Sequence, residues 1–212
     1  MYDVMFQSNM SYKERYLPKE GENHNRILIL TGVSGSGKDF LLSEARRQGI
    51  MPNGVKTFNF GDELFNHLKR VYPALRTKDD IRTALTNEQV RKGILSIIDG
   101  VIDSQPVIVN THVLNKQRET IALNPDIDTR IHPTGYLFVW SEPDQIVRWR
   151  KEDTTRTREV ETVDEIVLHQ NLALEFVSVF ARHTNASLHT LWNRTDNLAD
   201  NLTKLQEIAL AL

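Results

Sequence analysis

The sequence predicts an α/β fold: five parallel strands, helices on both faces of the sheet and a short lid. Three observations carry this. Short apolar or alternating runs at 27–30, 55–60, 107–109, 136–140 and 187–191 are each followed by a longer segment with helical apolar spacing. The run Val107-Ile108-Val109 does not alternate, as expected of a strand buried on both faces. The first strand leads straight into a glycine-rich turn, Gly32-Val33-Ser34-Gly35-Ser36-Gly37-Lys38-Asp39, which opens a helix.

In chain order, residues 1–24 are polar and precede the first strand, so they are expected to form an extension outside a core domain spanning 25–212. Phe40, Leu41, Leu42 and Ala45 give the first helix an apolar face, which Gln48-Gly49 ends. Val55 to Phe60 alternates as a second strand. Gly61-Asp62-Glu63 then starts a helix with acids in its first turn, where the helix dipole favours them. Residues 77–84 read as a short helix with Thr77 as N-cap and Asp80 as its capping partner. Thr86 or Asn87 caps a longer helix carrying Val90, Ile94, Ile97, Ile98 and Val101. The third strand delivers Asn110-Thr111-His112 at its carboxyl end. Residues 113–134, patternless and with Pro125 and Pro133, are expected to be a long loop with room for a short helix. The fourth strand leads to a helix after Pro143, a longer helix follows over 160–183, and 196–212 closes the chain as an amphipathic helix.

Composition bounds the function. The chain has 212 residues, enough for one α/β domain with a sizeable core. A formal net charge of -2 argues against a general nucleic-acid binder. With no cysteine, a disulfide scaffold and a cysteine-ligated metal are excluded. No apolar run approaches the roughly 20 residues of a membrane span, and the first residues lack the pattern of a signal peptide. A cytoplasmic location with no membrane partner is expected.

The pattern Gly32-x-x-x-x-Gly37-Lys38, between a strand and a helix, is a phosphate-binding loop. Its glycines let backbone N–H groups turn inward onto a triphosphate, and Lys38 supplies a charge that reaches the outer phosphates. The residue after the lysine is normally Ser or Thr, whose hydroxyl ligates magnesium; here it is Asp39. In a parallel sheet, ligands bind beyond the carboxyl ends of the strands. Gly61-Asp62, Asn110-Thr111-His112 and the run 148–158, with Arg148, Arg150, Lys151, Arg156 and Arg158, are expected to meet there. Phosphoryl transfer needs several cations because charge spreads over many oxygens. Taken alone, the arginine run also reads as a solvated charged helix, and His112 as a buried structural histidine. The other histidines lack metal-ligand spacing.

Together these segments resemble the archaeal-type adenylate kinases, within the P-loop nucleoside monophosphate kinases. The resemblance rests on Thr31-Gly32-Val33, Asn59-Phe60-Gly61, Asp79-Asp80-Ile81-Arg82 and the stretch 106–112. The stretch 153–162 and His169-Gln170 complete it, all in family order. It implies a P-loop NTPase fold that transfers the γ-phosphoryl group of magnesium-ATP to AMP, giving two ADP. It places Gly32, Val33, Ser34, Gly35, Ser36, Gly37, Lys38, Asp39 and Arg148 at ATP, and Gly61, Arg82, Thr111 and His112 at the acceptor. Lys38, Arg82, Arg150, Arg156 and Arg158 are implied as catalytic cations, with a lid over about 148–160. A homotrimer is also implied.

Two departures stand out. The family usually has Thr at Asp39 and Asp at Asn110. We expect an exchange, with Asp39 taking the magnesium-side charge and Asn110 becoming its neutral hydrogen-bond partner, since adjacent carboxylates would repel. Loops ending in Gly-Lys-Asp also occur in some deoxynucleoside monophosphate kinases and in animal-type phosphomevalonate kinases, so another phosphorylated acceptor is one alternative. A regulatory nucleotide-binding ATPase is the other.

Overall fold

A computed structural model describes residues 26–117, 120–123, 130–153, 161–194 and 196–212, without the side chains of Arg82, 115–117 and 120–123. Five strands form the main sheet: β1 (Ile27–Thr31), β2 (Lys56–Asn59), β3 (Val107–Asn110), β6 (Gly135–Ser141) and β7 (Ser187–Asn193). All pairings are parallel, in the order β2-β3-β1-β6-β7. The expected α/β P-loop architecture is therefore present. β1 lies between β3 and β6, so strand order reverses around it, and a crevice opens beyond its carboxyl end.

Alternation along β1 builds two cores. Ile27 and Ile29 face α2 (Phe60–Val71), α4 (Asn87–Ile102), α5 (Pro143–Glu152) and α6 (Val163–Thr184), packing with Phe60, Ile98, Val101, Ile146 and Ile166. Leu28 and Leu30 face α1 (Lys38–Arg47) and α7 (Leu198–Leu210), packing with Leu41, Ala45, Leu202 and Leu205. A strand buried on both faces must be apolar at every position, which is why β1 and β3 read as continuous runs. Among the described residues no helix is long and apolar enough to cross a membrane.

Helix starts follow local chemistry. Thr86 with Gln89 and Thr162 with Glu165 form capping boxes at α4 and α6. Around 77–84 the geometry differs from the sequence reading. The short α3 (Asp80–Ala84) starts after Asp79, and the Asp80 carboxylate accepts from the backbone N–H groups of Thr77 (2.7 Å) and Arg76 (2.6 Å). These two bonds hold its carboxyl below the usual aspartate range. The bond from the Thr77 N–H is the reciprocal half of the expected capping box, and the Thr77 hydroxyl also bonds the Asp80 carboxylate; the bond from Arg76 is additional.

The expected loop at 113–134 holds two short antiparallel strands, β4 (Leu114–Gln117) and β5 (Thr120–Leu123), with Leu114 opposite Leu123. In sequence, Arg118-Glu119, which lie outside the described residues, lack the Asn-Gly or Asp-Gly chemistry that marks a two-residue turn, so the sequence gives no turn signal here.

Candidate active site

The loop after β1 takes its shape from two glycines. Gly32 has φ +148°, and a Cβ there would lie 2.5 Å from the Val139 carbonyl oxygen. Gly37 has φ +82°, in the left-handed region, and its open side faces the Asn193 amide. Asn193, at the end of β7, donates to the Ser36 carbonyl (2.9 Å), as does the Ser141 hydroxyl at the end of β6 (2.9 Å). Gln170 fixes Ser141 in turn, accepting from its N–H (3.2 Å) and donating to its carbonyl (3.0 Å). Gly37→Ala would combine left-handed strain with displacement of the Asn193 bond. We expect a loss of about 2–3 kcal/mol in urea unfolding, partly recovered on adding Asn193→Ala, which removes the collision but not the strain.

No side chain caps α1 at Gly37, in contrast to the capped α2, α4 and α6. The first-turn N–H groups of α1 are thus left for an anionic ligand. Lys38 is 4% exposed, and its ammonium donates to the carbonyls of Gly32 (2.9 Å) and Val33 (2.9 Å) and to the Ser36 hydroxyl (3.3 Å).

Asp39 stands where the expected exchange needs it. Its Oδ1 accepts from the Asn110 amide at 2.5 Å and from the Asn59 amide at 3.0 Å. The carboxylate can only accept, so both amides must present nitrogen to it. Asp39 supplies a hard oxygen beside the phosphate-binding turn, the donor type magnesium prefers. Among the described residues no group of three His, Cys, Asp or Glu could hold a metal alone. One carboxylate next to a phosphate cradle fits an ion bound chiefly by phosphates and water, and Asp39, with Asn110 beside it, would hold that ion.

Arg150, on α5, reaches back to the loop. Its Nε and Nη2 donate to the Ser34 carbonyl at 3.0 and 2.7 Å, and its Nη1 pairs with the buried Glu161. A buried guanidinium paired with a carboxylate is held in one geometry, so Arg150 pins the loop's outer turn. Buried His169 places Nδ1 3.7 Å from Glu161, and among the described residues neither ring nitrogen has a hydrogen-bond partner. Arg148, two residues earlier on α5, is exposed.

The other expected residues distribute as follows. Gly61 is in the first turn of α2, next to Asp62, which pairs with Lys78. Thr111 is buried, its N–H bonded to the Leu30 carbonyl. His112 Nδ1 is 2.8 Å from the Gly32 carbonyl, an acceptor, so that nitrogen carries the proton. His112 thus touches the phosphate loop itself. Arg82 lies on α3, but its side chain falls outside the described residues, as do Arg156 and Arg158. A cavity of about 560 Å³ opens over the loop, lined among others by Lys38, Asp39, His112, Trp149, Asn193 and Arg194.

Asn59, Glu161, Trp149 and Asn193 were not singled out as site residues. Asn59 had a usable signal, a capping residue directly before an acidic helix start at a strand's carboxyl end. Asn193 and Trp149 had none, because their roles depend on contacts with a distant loop.

Comparison with known proteins gives a consistent pattern. The model of the family described as AAA domain matches residues 31–167. An adenylate kinase of Thermococcus kodakarensis is 24% identical over 87% of this chain and 97% of its own. One from Pyrococcus abyssi is 25% identical over 86% of this chain and 94% of its own. Among solved structures, a shikimate kinase from Bacteroides thetaiotaomicron superposes with a TM-score of 0.54 at 18% identity, covering 88% of this chain and 98% of that one. This last likeness concerns the fold.

Proposed function

The chain belongs to the AAA domain family, and from that premise we propose that it is a kinase transferring the γ-phosphoryl group of ATP to a nucleoside monophosphate, with AMP the preferred acceptor. One observation carries the reading: the site has two sides joined at Asp39. The loop and Lys38 form the donor side, while the start of α2, with Gly61 and Asp62, and the end of β3 form the other. A nucleotide-hydrolysing regulator would need the loop but not a built second side. Similarity to archaeal adenylate kinases along most of the chain supports AMP over other acceptors.

In this reading a phosphate oxygen of AMP attacks the γ-phosphorus of ATP, the bond to the β,γ-bridging oxygen breaks, and two ADP result. Lys38 exchanges its loop carbonyls for the phosphate oxygens, and Arg150 holds the outer turn in shape through Ser34. Magnesium, when bound with ATP, would supply positive charge to offset the charge that develops on the phosphates; Asp39 would hold it, directly or through water with Asn110. Gly61, Arg82, Thr111 and His112 are assigned to the acceptor, and Arg148, Arg156 and Arg158 to a closing lid that excludes water.

The Gly-Lys-Asp loop ending favours a second reading, a kinase of a deoxynucleoside monophosphate or another small phosphorylated acceptor. A panel of nucleoside and deoxynucleoside monophosphates and phosphomevalonate, with magnesium-ATP, separates the two. AMP should stimulate ADP formation most. Stimulation by a different acceptor moves the assignment, and stimulation by none sinks both.

A further inference from the structure

We infer that Asn59 is a positioning residue that couples the metal side of the site to the helix on the acceptor side, an inference that rests on the kinase reading above. Asn59 ends β2 and is the N-cap of α2, with φ -88° and ψ 104°. Its carbonyl oxygen accepts from the Asp62 N–H at 3.2 Å, and its amide nitrogen donates to Asp39 Oδ1 at 3.0 Å. One planar amide therefore holds the first turn of α2 and the carboxylate at the end of the phosphate loop.

Residue type decides what this position can do. Ser, Thr, Asp and Asn all cap helices well. Asp at 59 would cap, but it would set a second carboxylate against Asp39 with no proton to donate. Ser or Thr would cap through a single oxygen on a shorter stem, which falls short of Asp39 by about the width of the amide group. Of these four, asparagine alone serves both partners. The flipped amide is excluded, because it would face carbonyl oxygen to carboxylate and nitrogen to a backbone N–H.

The energetic consequence follows from linkage. A cation that draws charge from Asp39 changes the strength of the Asn59 bond, and whatever fixes Asn59 also fixes the start of α2. Coupling between two sites is reciprocal in free energy, so order at the start of α2 must in turn raise metal affinity. Asn110, the other donor to Oδ1, ends β3 and caps no helix, so it orients Asp39 without this link.

The test uses the full chain loaded with ADP. Free Mn2+ is measured by electron paramagnetic resonance, and hydrogen exchange is followed at the first-turn amides of α2. In the unaltered protein, Mn2+ should slow exchange at those amides. Asn59→Ser retains a cap, yet Mn2+ affinity should fall about tenfold, as found when residues that orient a metal ligand are replaced, and the metal-dependent slowing should vanish. Asn110→Ala should weaken Mn2+ binding while keeping the slowing. The inference is overturned if Asn59→Ser binds Mn2+ like the parent, if its amides still respond, or if the parent's never do. Neither readout involves an acceptor, so failure of the monophosphate panel is separable from failure here. Absence of ADP binding would overturn both.

Discussion

Lys38→Ala is expected to lower kcat/KM for ATP by about a thousandfold, the scale seen when one preorganised charge-stabilising group is lost, while stability changes by less than about 1.5 kcal/mol. The second half of this expectation comes from how the lysine is held. Each carbonyl that Lys38 engages already has another donor: His112 Nδ1 on Gly32 at 2.8 Å, and the Ser36 N–H on Val33 at 3.2 Å. Removing the ammonium therefore leaves neither carbonyl orphaned. The same redundancy lets Lys38 leave the carbonyls for a triphosphate without stranding buried acceptors. Coupled measurement of ADP formation and urea unfolding of the same preparation checks both halves. A stability loss large enough to explain the activity loss would show that the lysine's main work is structural.

This redundancy also explains the place of His112. The family resemblance places it on the acceptor side, at the end of the strand after Thr111. Its contact is with the first glycine of the loop, at the junction of the two sides. Strand order makes that contact unavoidable: β3 is paired with β1, with Leu30 in register with Asn110, so the residues following each strand emerge side by side.

What could be read in advance follows the same logic. The strands, the loop and the helix caps are set by residues a few positions apart, so their chemistry is visible locally. The closeness of Asp39 and Asn110 was also legible, since a two-residue departure from a familiar pattern pointed to both. The braces on the loop were not. Arg150 stands out within the arginine run, but its partner Ser34 lies 116 positions away, and Asn193, which meets Ser36 across 157, is not distinguished by its neighbours in sequence. Asn59 was visible as a motif residue, but its second bond, to Asp39, depends on how β2 and α1 are placed. The β4–β5 hairpin carries no turn chemistry in its sequence, and while the three-residue spacing accounts for the bond from the Thr77 N–H to Asp80, it gives no sign of the second one, from Arg76.

Exchanging Asp39 and Asn110 is the sharpest test of the site. Asp39→Asn alone keeps the shape but removes the carboxylate beside the phosphates, and we expect kcat/KM to fall about a hundredfold. Asn110→Asp alone sets two carboxylates where a 2.5 Å hydrogen bond now stands. Repulsion then raises one of the two pKa values: at low pH the pair shares one proton and carries one charge, as the parent pair does, so this variant should lose activity as pH rises through the raised pKa. In the double variant the bond between the two positions can re-form with reversed polarity. Asn at 39 donates its amide to Asp at 110; because both present bonds end on the same Oδ1, the Asn59 amide loses that acceptor but keeps its hold on α2 through the Asp62 N–H. The charge stays in the pair, moved from the end of the loop to the end of β3. The double variant should therefore exceed the worse single by at least about tenfold, so the coupling in a double-mutant cycle is about 1.4 kcal/mol plus the whole loss of the better single. Simple additivity would mean that the two positions act independently, and that the carboxylate is needed at Asp39 for its exact place and not for its charge.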